Sequence, residues 1–90
     1  MSLDQLRNRL TIVDKELIEL ISERQKIVSE VSAYKIKTGI AIRDYGRESK
    51  ILKSVEKQSI SLGLDPALAK EIMKLLISAS LQQQEKSKVS

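Results

Sequence analysis

Ninety residues are expected to form one small domain, 1–90, that buries only a modest fraction of its surface if it folds alone. With no cysteine and no histidine, the sequence excludes disulfide scaffolds, Cys/His zinc sites and thiol or imidazole catalysis. A net charge of +4 suits an anionic partner, and two tyrosines as the only aromatics leave no platform on which nucleic-acid bases could stack.

Three glycines and one proline are the only strong punctuation, so the chain should be all-α with few breaks. The first helix is expected over about 3–38, because no breaker interrupts it and apolar residues recur at helical spacing. Leu3, Leu6, Leu10, Val13, Leu17, Leu20, Ile27 or Val28, and Val31 form one continuous stripe. Gly39 follows as a left-handed cap. A second helix is expected over about 44–60, with Asp44 as its N-cap and Ile51, Leu52 and Val55 on one face, followed by a turn from Ser59 to Leu64. Asp65-Pro66 then starts a third helix, expected over about 65–84, carrying Leu68, Ile72, Leu75, Leu76 and Ala79. The polar tail 85–90 is expected to fray.

The first helix carries the strongest implication. At 1.5 Å per residue it is a rod of roughly 50 Å. A compact chain of this length has a radius of gyration of only about 12 Å. Two shorter helices cannot cover an apolar stripe that runs the whole rod, so a second copy of the chain is expected, giving an intertwined homodimer.

Polar groups interrupt the apolar faces. Arg24 and Lys35 share the face of Val28 and Val31 on the first helix, while Arg7 lies on a flank that a partner could approach. Glu48 shares a face with Ile51, Leu52 and Val55, and Ser80 and Gln84 continue the face of Ile72, Met73 and Leu76. Buried charges are costly unless they are paired or bound to a ligand of opposite sign. Each group also has a plainer reading. Arg24 and Lys35 could snorkel to solvent on their long stems, and Glu48 could form a structural ion pair with either of them. Ser80 and Gln84 could belong to a solvated last turn, and Arg7 alone could be a surface residue.

Taken in order, Leu6-Arg7, Asp14-Lys15, Glu23-Arg24, Lys35, Arg43-Asp44-x-x-Arg47-Glu48 and Ser80-x-x-x-Gln84 resemble the all-helical (AroQ-type) chorismate mutase family. The resemblance covers about residues 3–85, and the Arg-Asp-x-x-Arg-Glu stretch is its most specific part. It implies an intertwined dimer of three-helix chains that converts chorismate to prephenate with no cofactor and no metal. Arg24 would bind the side-chain carboxylate, and Arg7 of the partner subunit would bind the other one. Asp44, Arg47 and Glu48 would surround the ring hydroxyl, with Glu48 accepting from it. Ser80 would add a polar contact, Lys35 and Gln84 would donate to the ether oxygen, and Val31, Ile77 and Leu81 would form apolar walls. Arg43 belongs to the motif, and the resemblance assigns it no particular role.

The chemistry accounts for the unusual composition. The rearrangement is intramolecular and needs no nucleophile, proton transfer or redox step. It needs the reactive conformer held, which two arginines forking onto two carboxylates can do. It also needs donors at the ether oxygen, where negative charge grows in the transition state.

Three rival readings fit the residues less well, and a salt-sensitive gel shift would test the nucleic-acid one. An isochorismate-pyruvate lyase shares the fold, but the intact Arg43-Asp44-x-x-Arg47-Glu48 stretch favours the mutase. A basic helical dimer binding nucleic acid would place its cations on a solvated face, whereas the key ones here interrupt the buried stripe. A plain coiled-coil module leaves Glu48, Ser80 and Gln84 unexplained. No apolar run approaches the roughly 18 residues of a membrane span, and the MSLDQLRNRL start lacks a signal peptide's order. A cytoplasmic protein without a membrane or nucleic-acid partner is therefore expected.

Overall fold

The computed structural model describes residues 1–89 and contains three helices in up-down-up order: α1 (Leu3–Thr38), α2 (Tyr45–Leu62) and α3 (Pro66–Val89). Each boundary follows from local chemistry. Ser2 caps α1 in a reciprocal box with Gln5, its hydroxyl accepting the Gln5 N–H while the Gln5 side chain accepts the Ser2 N–H. Gly39 ends α1 at φ +74°, a left-handed backbone that a side chain would strain. Asp44 caps α2 by accepting the Arg47 N–H at 3.0 Å, and Asp65 accepts the Ala67 N–H at 3.0 Å just before α3.

Two boundaries differ from expectation. The turn anticipated from Ser59 begins later, because α2 continues to Leu62 and stops at Gly63, φ +71°. Serines here do not break the helix: the Ser59 hydroxyl donates to the Val55 carbonyl one turn back, so its polar group is satisfied inside the helix. The tail expected to fray from residue 85 is helical through Val89. Nothing between Glu85 and Lys88 is a breaker, Ser87 bonds back to the Gln83 carbonyl, and Lys86 and Lys88 suit the negative end of the helix dipole. Ser90 lies outside the described residues.

α3 packs on both α1 and α2, whereas α1 and α2 do not pack on each other. It runs parallel to α1, since Arg24 meets Ser80 and Lys35 meets Gln84. It runs antiparallel to α2, where Glu56 pairs with Lys70 at 2.6 Å. The Gln83 amide ties α3 to α1 by donating to the Gln25 carbonyl and the Ser29 hydroxyl.

The molecule is a rod, 55 × 26 × 14 Å, with a radius of gyration of 16.4 Å against about 12 Å for a compact chain of this length. Its N-terminal half projects. Every residue from 1 to 20 is exposed, including the stripe residues Leu3, Leu6, Leu10, Val13, Leu17 and Leu20. Among the described residues the buried apolar side chains are Ile42 and Ile77, while four polar ones, Ser32, Ser59, Ser80 and Gln84, are also buried. A single chain therefore leaves most of its apolar surface on α1 uncovered.

Candidate active site

The C-terminal half of α1, the loop after it, the first two turns of α2 and the middle turns of α3 line a pocket of about 300 Å³. That is the lower end of the range for small-molecule sites. α1 contributes Arg24, Val31 and Lys35, which lie on one face because they follow helical spacing. Asp44 sets where α2 begins, and so brings Arg47 and Glu48 to the pocket in its first turn. α3 contributes Ile77, Ser80, Leu81 and Gln84, again at helical spacing.

Neither Arg24 nor Lys35 snorkels away. Arg24 Nη1 donates to the Ser80 hydroxyl and, at 3.3 Å, to the Leu76 carbonyl. The Ser80 hydroxyl in turn donates to that same carbonyl at 2.8 Å, which fixes it as the acceptor for the guanidinium. One edge of Arg24 is thus anchored on α3, and its remaining N–H groups are left for an anion in the pocket.

Lys35 Nζ donates to the Ile42 carbonyl at 2.7 Å and to Gln84 Oε1 at 3.2 Å. An ammonium has three donors and no acceptor, so two are spent and one remains. The same fact orients Gln84. Its oxygen must face Lys35, which turns its amide nitrogen away, and that nitrogen donates to the Ser80 carbonyl at 3.3 Å. The second N–H of the amide is not needed there. Gln84 is 6% exposed, so this is a buried amide and not the solvated last turn of a fraying helix.

Glu48 pairs with neither Arg24 nor Lys35. Its partner is Arg43, whose Nη2 lies 3.2 Å from Oε1. The other carboxylate oxygen, Oε2, is shut off from solvent and has no hydrogen-bond donor among the described residues. A buried acceptor without a donor is unfavourable, so a ligand that brings one would relieve that cost. Three cations, Arg24, Lys35 and Arg47, face a pocket whose two carboxylates are already engaged, Asp44 by the α2 backbone and Glu48 by Arg43. The balance favours an anionic ligand.

Every site residue anticipated above lines this pocket except Arg7. Arg7 stands exposed on the projecting half of α1, far from the pocket of its own chain. The pocket also includes Ile27, Val28, Ile42 and Ile51, which were not anticipated as wall positions. The first, second and fourth had been assigned to apolar helix faces. Ile42 had no signal at all, because what Lys35 binds is its backbone carbonyl, which every residue possesses. Among the described residues no group of three or more carboxylates gathers to hold a metal ion.

Comparison with known proteins identifies relatives of the chain. Residues 6–85 match the family described as chorismate mutase type II. The chain is 32% identical over 78 residues to the T-protein of Enterobacter agglomerans, covering 87% of this chain and 21% of that protein. It is 29% identical over 80 residues to a bifunctional chorismate mutase/prephenate dehydratase of Buchnera aphidicola, covering 89% of this chain and 21% of that one. It is also 29% identical over 84 residues to the chorismate mutase of Methanocaldococcus jannaschii, covering 91% and 85% of the two chains. The chain thus spans about one fifth of the length of the first two relatives and most of the third.

Proposed function

The chain belongs to the chorismate mutase type II family, and from that premise we propose that it converts chorismate to prephenate as a cytoplasmic homodimer with shared sites, in the biosynthesis of phenylalanine and tyrosine. The observation that carries the reading is the meeting of Lys35 and Gln84 at 3.2 Å in a pocket lined by cations, each with a donor to spare. That pair matches what the reaction demands at its reacting oxygen.

In the rearrangement the ether C–O bond of chorismate breaks as a new C–C bond forms between the side chain and the ring. Both events occur within one molecule, and no atom enters or leaves. Catalysis then reduces to two tasks. The first is to hold the side chain over the ring. Arg24 takes the side-chain carboxylate, and Arg7 of the partner subunit takes the other; the forked geometry of a guanidinium suits both. Asp44, Arg47 and Glu48 hold the ring hydroxyl, with Glu48 accepting a hydrogen bond from it, and Val31, Ile77 and Leu81 wall in the ring. Holding a near-attack conformer can supply a large share of the barrier reduction.

The second task is to meet charge where it develops. As the C–O bond lengthens, the ether oxygen gains negative charge, and Lys35 and Gln84 donate to it more strongly in the transition state than in the ground state. Both are pre-set by their own bonds, Lys35 to Ile42 and Gln84 to Ser80, so little reorganisation is needed at the moment of reaction. No helix of the described residues is long and apolar enough to cross a membrane.

The test is direct. Purified protein is given chorismate, the loss of its diene absorbance is followed, and acid conversion of the product to phenylpyruvate identifies it. Wild type should turn over, and Lys35→Ala should lose on the order of 10²–10³ in kcat while remaining folded. A folded dimer that leaves chorismate untouched would sink the proposal, and isochorismate would be tried next.

A further inference from the structure

Arg43 stands outside the pocket, yet it makes the only ion pair among the described residues that reaches into the pocket. Its Nη2 lies 3.2 Å from Glu48 Oε1, and on its other side its guanidinium carbon sits 4.4 Å above the centroid of the Tyr45 ring. The Arg43 side chain is half exposed, whereas that of Glu48 is 19% exposed. Arg43 thus bridges an exposed aromatic face and a largely enclosed carboxylate.

We propose that Arg43 is a positioning residue that acts on the reaction through Glu48, with Tyr45 holding Arg43 in place; the proposal rests on the mutase reading above. A carboxylate on two methylenes can rotate, and one whose second oxygen finds no donor among the described residues gains by turning to find one. The Arg43 contact on Oε1 opposes that rotation and leaves Oε2 as the acceptor still to be matched. The cation–π contact limits the freedom of Arg43 in turn. The local sequence makes the arrangement possible. Asp44 caps α2, so the chain turns sharply there, and Arg43 just before the cap folds back over Tyr45 and Glu48 in the first turn after it.

A purely structural ion pair at a half-exposed position would contribute little stability and would not distinguish one catalytic group from another. The positioning role makes a sharper demand: the effect of removing Arg43 must vanish when Glu48 can no longer respond.

The test is a double-mutant cycle on kcat/KM for chorismate, using wild type, Arg43→Ala, Glu48→Gln and the double variant, each checked for helicity and dimer by circular dichroism and sedimentation. Arg43→Ala is expected to lose about tenfold, less than the 10² that a 1 Å misplacement can cost, because the pair is partly solvated. Arg43→Lys, which keeps the charge but not the planar fork, should recover part of it. In the Glu48→Gln background Arg43→Ala should change the rate by less than about twofold. Tyr45→Leu should lose about two- to fivefold, whereas Tyr45→Phe, which keeps the ring face, should lose less than Tyr45→Leu does. Arg43→Ala losses that multiply with those of Glu48→Gln would mean that Arg43 acts independently and would overturn the proposal, as would an Arg43→Ala enzyme equal to wild type. Absence of turnover by wild type would instead remove the mutase reading, and this proposal with it.

Discussion

Arg7 and Arg24 stand on the same helix, and from one to the other α1 rises about 25 Å. Arg24 is anchored in the pocket by Ser80 and Leu76, so Arg7 of the same chain cannot join it. If both bind one dianion, they come from two chains. Arg7→Ala and Arg24→Ala homodimers should each be nearly inactive. After mixing and subunit exchange, half of the dimers are mixed, and each mixed dimer carries one site with both arginines intact. Activity should therefore rise to about one quarter of the wild-type value per chain. A mixture no more active than its components would mean that the sites are not shared.

The exposed stripe on α1 makes a related prediction about assembly. Leu10 and Leu17 are 61% and 52% exposed on the single chain, and a partner helix would bury both. Replacing either by aspartate would place an unpaired charge in that interface, at a cost of several kcal/mol. Leu10→Asp and Leu17→Asp should sediment as monomers and lose most of their activity, and only the wild-type melting temperature should rise with protein concentration. Variants that remain dimeric would show that this stripe is not the contact.

Much of this was legible in the sequence because it followed from periodicity and from strong breakers. The uninterrupted stripe to Val31 gave α1, Gly39 ended it, and the Asp44 and Asp65-Pro66 signals placed the starts of α2 and α3. Arg24, Lys35, Glu48, Ser80 and Gln84 were visible as polar groups on apolar faces, and the fold brings all of them to one pocket. What escaped was set by choices between near-equal partners. Glu48 could reach several cations, and only the fold-back of the loop at Arg43 decides for that residue over Arg24 or Lys35. The Ile42 carbonyl that holds Lys35 carries no side-chain signature. The end of α2 was placed short because Gly63 drew the whole Ser59–Leu64 segment into a turn, and the end of α3 because its tail is polar, whereas Gly63 itself stops α2 and back-bonded hydroxyls and terminal lysines sustain the helices.

The glycines separate by sign. Gly63 ends α2 at φ +71°, and alanine there would have to adopt a left-handed backbone. Gly63→Ala should lower stability by about 1 kcal/mol in urea unfolding. Gly46 lies in the first turn of α2 with an ordinary backbone, and a Cβ there would meet only Asp44 Oδ1, at 3.4 Å. Gly46→Ala should be neutral or stabilise by up to about 1 kcal/mol, because glycine is a poor helix residue. Equal losses at the two positions would contradict the assigned backbone roles.

The identity of residue 84 fixes how the rate depends on pH. Its amide is a donor at every pH, so the wild-type rate should be nearly flat from mildly acid to mildly alkaline conditions, and a steep fall between about pH 5 and 7 would count against its role. Glutamate in the same place reverses this. A carboxyl group ordinarily loses its proton near pH 4.3, and once ionised it can only accept. Above that range it would place negative charge beside the oxygen that is itself becoming negative, and would also draw Lys35 to itself. Gln84→Glu should then lose on the order of 10²–10³ in kcat/KM at pH 7. As pH falls, the protonated and donating form becomes more abundant, so activity should climb by up to about tenfold per pH unit until that form predominates. A Gln84→Glu enzyme whose pH profile runs parallel to the wild type would show that residue 84 does not donate to the ether oxygen.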